Sequence, residues 1–325
     1  MTASTTAATE RGFKFSFDRL RTVLPFASLA VLYVVTVILS PGYLQGVQIG
    51  ALLQLATILG IVAIGQTLVI LIGGIDLSVG AVVTLTNLLT AAILNGSDVN
   101  FAAALGISIL VGAVVGLVNG GLITLVKIPD LVATLATMTI VIGLGYLITN
   151  GAPRGTSSPL LNSIMTQRFA GFLTSGFLLW VVLAAIVIVI LRKTVFGRRV
   201  YSVGLNREAS HFAAVPVVGT IVALYGLSGL TAGLAGFLLT GYTGSSYLGS
   251  GTSYQLSTIA AVVLGGTSIY GGKGGYSGTI VGVLITVLLL SILRVIGISQ
   301  AGQNIAYGVV ILVMLVLFGA RARRR

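Results

Sequence analysis

Long apolar runs recur along this chain and limit the folds that it can adopt. Many are about 18 to 25 residues long, the length that a helix needs to cross the hydrocarbon core of a bilayer. Charged residues make up only 7% of the 325 residues, whereas a soluble domain has about a quarter. The sequence therefore predicts an all-α polytopic membrane protein with about ten transmembrane helices. The predicted spans cover residues 22–40, 47–72, 77–94, 101–126, 131–149, 172–191, 218–240, 256–264, 277–296 and 303–319.

The basic residues are unevenly divided between the two sides of this predicted bundle. If the N-terminus is inside, fifteen lysines and arginines face the cytosol and only Arg154, Arg168 and Arg294 face outward. Because loops rich in Lys and Arg stay on the cytosolic side, both termini are predicted to be cytosolic. The net charge of +12 then serves as a topology signal. We expect contact with membrane lipid and not with nucleic acid.

This orientation divides the chain into three parts. Residues 1–21 form a cytosolic N-terminal tail, 22–319 a single transmembrane domain, and 320–325 a basic cytosolic tail. Within the transmembrane domain, the polar loop 150–171 faces outward and the basic segment 192–217 faces the cytosol.

One acid lies between two apolar runs, in Gly73-Gly74-Ile75-Asp76-Leu77-Ser78-Val79-Gly80. Glycine lets the backbone leave helical geometry, and a carboxylate in apolar surroundings is costly. Asp76 is either a proton or ion site, or it accepts hydrogen bonds at the start of a helix with help from Ser78. The charge pattern places it near the cytosolic face.

A second glycine-rich break follows another apolar run, at Gly265-Gly266 and on to residue 275. The sequence thus predicts broken helices near 73–76 and 265–275. The two segments 69–80 and 262–272 share an order of apolar run, glycine pair and break. That similarity indicates either an internal repeat, as in many transporters, or a coincidence in a chain with 44 glycines.

Two predicted spans carry small residues at regular spacing: Gly112, Gly116 and Gly120 in one, and Gly226, Gly229, Gly233 and Gly236 in the other. Small residues four positions apart form a ridge that lets two helices approach closely. Asp130, after the break at Lys127-Ile128-Pro129, is well placed to cap the next helix.

Signals of enzyme chemistry are absent from the sequence. There is no phosphate-binding Gly-x-x-x-x-Gly-Lys-Ser/Thr motif, no carboxylate pair for acid–base catalysis, no cysteine and only one histidine. No catalytic residue, metal site or resident cofactor is predicted.

The basic segment 192–217 contains a short amphipathic stretch. Gly204 breaks the chain, Asn206 can cap a helix, and Phe212 and Val215 lie on its apolar side. This pattern fits a protruding element for a partner protein. It equally fits a solvated cytosolic loop, and the residues alone do not decide between the two.

The run Gly73 to Gly80 resembles the hallmark of the permease subunits of bacterial ABC importers for monosaccharides, the ribose/xylose/arabinose/galactoside group. Four further stretches resemble that family in the same order: 133–138, 146–151, 197–215 and 259–268. The similarity extends from about residue 20 to 320.

The resemblance implies a bacterial inner-membrane subunit that pairs with a second copy of itself and binds two cytosolic ATPase subunits, which would hold the ATP and Mg²⁺. It implies that a periplasmic sugar-binding protein delivers the substrate. It also makes 204–216 the coupling helix and residues 73–80 a structural motif. The residues expected to contact the ATPase are Gly204, Asn206, Arg207, Glu208, His211 and Phe212.

A pathway for a neutral sugar needs hydroxyl and amide groups. The spans offer Gln54, Gln66, Asn87, Asn119, Thr134 and Thr137. Each of them can equally serve as an interhelical hydrogen bond.

The chain departs from the family pattern in two places. It has Asn206-Arg207-Glu208-Ala209 where such permeases often have Asn-Glu-Ala-Ala. It has Tyr254-Gln255-Leu256-Ser257 where many have Tyr-Glu-Leu-Asp. The second difference leaves the particular sugar open. The competing hypothesis is an ion-coupled carrier or a channel for a small polar solute, working without ATPase partners.

Overall fold

The computed structural model describes residues 17–169 and 171–322, with side chains from 26 to 169 and from 171 to 313. Thirteen α-helices make up most of this part, together with a 3₁₀ helix at Pro41–Leu44 and one β-hairpin. The hairpin pairs β1 (Arg168–Phe169) with β2 (Leu173–Thr174) in antiparallel orientation. The helices are α1 Phe17–Leu39, α2 Gly46–Leu71, α3 Val79–Leu94, α4 Phe101–Thr124, α5 Asp130–Thr149, α6 Pro159–Thr166, α7 Ser175–Lys193, α8 Val195–Leu205, α9 Arg207–Phe212, α10 Val217–Thr243, α11 Thr252–Leu264, α12 Tyr276–Val295 and α13 Gln300–Ala322.

Each predicted span falls on one helix of the structure, in α1 to α5, α7 and α10 to α13. In the described part of the chain, six helices are long and apolar enough to cross a membrane: α2, α4, α5, α7, α10 and α12. Shorter apolar segments lie at Phe26–Leu39, in α3 and in α11. The polytopic all-α fold is thereby confirmed, whereas the number ten and the orientation of the termini stay predictions.

The first and last helices, α1 and α13, extend beyond the predicted spans. Helix α1 begins at Phe17, inside the predicted tail 1–21, where Arg19, Leu20 and Arg21 are all good helix formers. Helix α13 continues to Ala322. The remaining residues of the two predicted tails lie outside the described residues.

Helices α2 and α11 both end at the predicted breaks, with the same backbone hydrogen bonds. The N–H of Gly73 donates to the Ile70 carbonyl and that of Gly74 to Val69. Gly266 and Thr267 make the corresponding bonds at the end of α11. This is the Schellman C-cap, which needs a residue with positive φ, and Gly73 has φ +73° and Gly266 φ +84°.

The same cap also ends α5 and α12. The similarity between the two glycine breaks therefore reflects a common way of stopping a helix. It does not favour an internal repeat over a coincidence.

Helices α4 and α10, which carry the two small-residue ridges, pack against each other through glycine. A Cβ atom added to Gly112 would collide with the Gly229 carbonyl, and one added to Gly116 would collide with the Tyr225 carbonyl. A Cβ on Gly233 would collide with Ser108. Close backbone contact over three turns gives this pair of helices its van der Waals attraction, which in lipid replaces the hydrophobic effect.

Helices α2 and α10 lie at the centre of the bundle, and most of their side chains are buried. In helices α4, α5 and α7 only a minority of the side chains are buried, and the large exposed ones are chiefly Leu, Ile and Val. Exposed apolar side chains on such helices are expected where the neighbour is a lipid chain.

The loop 150–171 is compact because it folds back on the helices. It forms α6, whose Leu161 and Met165 are buried. The Leu160 N–H at the start of α6 donates to Asp98, at 2.9 Å. We call the end of the bundle that carries α6 and the hairpin the hairpin end, and the opposite end, which carries residues 194–216, the α8–α9 end.

The glycine contact between α4 and α10 predicts that Gly112→Ala destabilises the protein. The new methyl group forces the two backbones apart, which costs about 1–3 kcal/mol. A thermal unfolding series on the detergent-purified protein would show a lower Tm.

The matched control is Gly106→Ala on the same helix. A Cβ at Gly106 meets no atom within 4 Å, so its Tm should stay unchanged. Equal Tm values for the two variants would contradict this packing.

Candidate functional site

Residues 72–78 connect α2 to α3 and fold back into the bundle, so that Asp76 has no exposed surface. The carboxylate contacts Ser228, eleven residues into α10. Through Ser78 it reaches Asn119, five residues before the end of α4. At 1.5 Å per residue, these positions lie about 8 to 16 Å from the helix ends. The glycine pair thus turns the chain inward, while the predicted position near the cytosolic face stays a prediction.

Hydrogen-bond donors occupy both oxygens of Asp76. The Ser78 N–H donates to Oδ1 at 3.0 Å and the Ser78 hydroxyl at 2.6 Å. The Ser228 hydroxyl donates to Oδ2 at 2.8 Å. These donors stabilise a buried carboxylate, and they fix the start of α3 against α10.

The network continues into two further helices. Asn119 Nδ2 donates to the Ser78 hydroxyl at 2.9 Å, and the Thr137 hydroxyl donates to Asn119 Oδ1 at 2.7 Å. Asp76 and Ser78, just before α3, thus belong to a chain of buried polar side chains that continues into α4, α5 and α10. Such a network holds four helices in one arrangement.

Asp130 has a different role from the predicted helix cap. Pro129 is the N-cap of α5, and no side chain caps this helix end. Asp130 Oδ2 instead accepts a hydrogen bond from the Ile75 N–H at 2.7 Å. Its carboxylate therefore holds the re-entrant segment, because Ile75 lies in the break where no helix supplies an acceptor.

The last carbonyls of α2 find their donors in two distant segments. The Gly272 N–H donates to the Leu71 carbonyl at 2.9 Å, and Arg207 Nη2 donates to the Ile72 carbonyl at 3.2 Å. A cation at a helix C-terminus is also favoured by the helix dipole. The break 72–78, the break 265–275 and the segment α8–α9 consequently meet at one place.

Gly204 is the closest point of this junction. A Cβ there would collide with the Leu71 carbonyl and would lie 2.7 Å from the Gly272 nitrogen. On the other side of the same contact, the Tyr201 hydroxyl donates to the Gly274 carbonyl at 2.9 Å. Burial raises the pKa of Tyr201, so its hydroxyl keeps the proton that it donates.

The other side of α8–α9 is open. Asn206 caps α9 by accepting a hydrogen bond from the Ala209 N–H at 2.9 Å, and the Ser202 and Ser210 hydroxyls lie 2.7 Å apart. Phe212 is 80% exposed and Leu205 66%. Side chains expected to contact a partner are exposed throughout this face: Asn206, Arg207, Glu208, His211 and Phe212. We call it the α8–α9 surface.

The six predicted pathway residues do not form one site. Asn119, Thr134 and Thr137 lie around the re-entrant segment. Gln54 donates to the Met165 carbonyl at 2.8 Å and anchors α6. For these residues the structure shows hydrogen bonds between elements.

The other two pathway candidates keep unsatisfied atoms. Asn87 Nδ2 donates to the Thr240 hydroxyl at 2.8 Å, and its Oδ1 accepts no hydrogen bond from the described residues. Gln66 is fully buried, and neither of its amide atoms has a partner in the part of the chain that the structure describes.

Within the described residues, no cluster of three or more His, Asp or Glu side chains could hold a metal ion. Sequence reasoning also missed Ser228, a central member of the Asp76 network. Its only signal was a serine within the glycine ridge of α10, which reads as another small residue.

Comparison with known proteins identifies the family of this chain. The family model described as "Branched-chain amino acid transport system / permease component" matches residues 48–319. The ribose import permease protein RbsC of Bacillus subtilis (strain 168) is 40% identical over 302 residues, covering 90% of this chain and 91% of the relative. RbsC of Escherichia coli (strain K12) is 35% identical, covering 89% and 91%. The fructose import permease protein FrcC of Rhizobium meliloti is 32% identical, covering 86% and 80%. No solved structure matches the chain.

The apolar helices and these matches define a multi-pass transport permease of the inner membrane. The chain belongs to the family of ABC importer permease components that this model describes.

The closed hydrogen-bond network around Asp76 predicts that Asp76→Asn destabilises the protein. In asparagine, an NH₂ donor replaces one of the carboxylate oxygens, which in the wild-type protein accept hydrogen bonds from serine hydroxyls. Hydrogen bonds to a charged group contribute about 1.5–3 kcal/mol. We expect a lower Tm and a lower yield of assembled protein.

Asp98→Asn is the control, because Asp98 is exposed and its accepting oxygen is preserved in asparagine. A wild-type Tm for Asp76→Asn, together with a changed dependence of transport on a proton gradient, would assign Asp76 to ion coupling instead.

Proposed function

We propose that this chain is the membrane-spanning permease subunit of an ATP-driven importer that takes up a monosaccharide. Two copies of the chain form the translocation unit, two cytosolic ATPase subunits bind ATP and Mg²⁺, and a periplasmic binding protein delivers the sugar. The sugar class follows from relatives named as ribose and fructose permeases at 32–40% identity. The proposed coupling mechanism is based on the exposed α8–α9 surface.

The α8–α9 surface has the features of a protein-binding element. A short capped helix presents one large aromatic side chain, Phe212, surrounded by the charged Arg207 and Glu208. An exposed aromatic residue with a polar rim is typical of an interface centre. We therefore assign residues 192–217 as the cytosolic coupling segment, and 204–216 as its contact with the ATPase.

The coupling segment also has a direct route into the bundle. Gly204 packs against the end of α2, and Arg207 binds the Ile72 carbonyl. A displacement of α8–α9 by the ATPase therefore acts on both glycine breaks at once. Alternating access would follow if this movement tilts α3 and α11 relative to the helices that they pack on.

This assignment sets the orientation of the chain. The α8–α9 end faces the cytosol with both termini, and the hairpin end faces the periplasm with residues 150–171. The excess of basic residues at the α8–α9 end supports it. The periplasmic binding protein would then dock on the hairpin end.

The competing hypothesis of an ion-coupled carrier depends on Asp76. A coupling carboxylate must be free to exchange a proton or an ion with water. Asp76 has no exposed surface, and its two oxygens accept bonds from Ser78 and Ser228. Burial and hydrogen bonds to both oxygens are the features that a carboxylate with a structural role requires.

Reconstitution into proteoliposomes tests the proposed function. With the ATPase subunits, the binding protein and ATP, we expect uptake of radiolabelled ribose, arabinose or fructose. The chain alone should take up none of them under a proton or sodium gradient, because its coupling element would have no ATPase to bind. Robust gradient-driven uptake by the chain alone would contradict the proposal.

The double variant Glu208→Arg with Phe212→Ala extends this test. It should reduce ATPase co-purification and ATP-driven uptake together, while insertion into the membrane is unchanged. Phe169→Ala serves as the matched control, because Phe169 is an exposed phenylalanine at the hairpin end.

A further inference from the structure

Helix α11 begins against the first turn of α3. The backbones of Gly251 and Gly80 are in direct contact, and the Gly251 N–H donates to the Thr84 hydroxyl at 2.9 Å. Gly80 is only the second residue of α3, which itself starts from the buried Asp76 segment. With 13 residues, α11 spans about 20 Å of a hydrocarbon core that is about 30 Å thick. The N–H groups of Thr252 and Tyr254 in its first turn donate to the Gly249 and Gly251 carbonyls.

A polar pocket opens beside this helix start. Its walls are the first turns of α11 and α13 and the last turns of α12, with Leu55 and Leu59 of α2 as an apolar floor. The polar side chains that line it are Ser253, Tyr254, Ser257, Arg294, Gln300 and Gln303. We call it the outer pocket, because it lies in the half of the bundle toward the hairpin end.

Gln303 has an unfilled hydrogen-bonding position. Its side chain is 4% exposed, and its Nε2 donates to the Ile298 carbonyl at 3.1 Å. Its Oε1 accepts no hydrogen bond within the described part of the chain. One turn along α13, the hydroxyl of Tyr307 is also buried and has no partner among the described side chains and backbone groups. Buried polar groups without a partner are costly, so two of them on one helix face indicate that something else satisfies them.

The chemistry of the outer pocket selects for one class of solute. It offers a free amide acceptor, hydroxyl groups and one guanidinium group, and no carboxylate lines it. An apolar floor beside convergent polar groups is the arrangement that sugars require, since they present hydroxyls around an apolar ring. A cationic solute would meet only Arg294 and the positive end of α11.

We propose that the outer pocket contacts the hydroxyl groups of the transported sugar, and that Gln303 is the side chain that accepts a hydrogen bond from it. This inference rests on the proposed function. The free space in the pocket is about 30 Å³, which holds a water molecule. A sugar therefore enters only when α13 moves away from α11, and the structure shows the pathway closed at this point.

The test compares sugar uptake with ATP hydrolysis in the complete reconstituted transporter. The variant Gln303→Met keeps the length of the side chain and removes its acceptor. We expect uptake of the radiolabelled sugar to fall by about tenfold, the effect of one lost hydrogen bond to a buried group. ATPase activity stimulated by the binding protein should stay at the wild-type level. Gln48→Met, at an exposed position of α2, should change neither.

Three results would overturn the inference. Unchanged uptake by Gln303→Met would remove its role in transport, and a parallel fall in uptake and ATPase activity would make that role structural. Both results leave the proposed function in place if the wild-type transporter takes up sugar. Failure of the wild-type transporter to take up ribose, arabinose or fructose would instead overturn the proposed function, and this inference with it.

A labelling experiment decides the question if Gln303→Met does not assemble. The chain contains no cysteine, so Ser257→Cys places a single thiol in the outer pocket. During ATP-driven turnover, a membrane-impermeant thiol reagent added from the hairpin side should modify it, and sugar-loaded binding protein should slow that modification relative to the empty form. Ser299→Cys, at an exposed position of the same end, should be modified equally with either form. Equal rates at residue 257 would contradict the proposal.

Discussion

The buried carbonyl groups at the end of α2 impose the main constraint on this structure. A helix that ends inside a membrane protein leaves carbonyls without partners, and no water is present to satisfy them. Leu71 and Ile72 obtain donors from Gly272 and Arg207, which belong to two segments far apart in the sequence. These bonds hold the second glycine break and the coupling segment together at the end of α2. The arrangement of the other elements depends on this junction.

Glycine makes such a junction possible in two ways. At Gly73 and Gly266 it supplies the positive φ that ends a helix and turns the chain. At Gly204 it supplies only space, since any side chain there would collide with the Leu71 carbonyl. The result is a close, hydrogen-bonded contact between a surface element and two interior breaks. In a permease, such a contact is a means of converting a push from outside the membrane into a rearrangement within it.

The sequence predicted those parts that follow from local composition. The positions of the apolar helices, both glycine breaks and the small-residue ridges of α4 and α10 depend on residues close together in the chain. The partner of each ridge, the role of Asp130 and the contribution of Ser228 depend on tertiary contacts, which no local pattern contains. The same limit applies to the burial of Asp76: the charge pattern locates a loop, but it does not indicate that the loop turns back into the bundle.

The measurement that tests the central claim most directly is ATP-driven uptake by Gly204→Ala, normalised to the ATPase bound. The α8–α9 surface is unchanged in this variant, whereas the junction with α2 is forced apart. We expect normal ATPase binding and a large loss of uptake, with Gly219→Ala as the control because a Cβ there meets no atom within 4 Å. Wild-type uptake by Gly204→Ala would show that coupling does not pass through this contact.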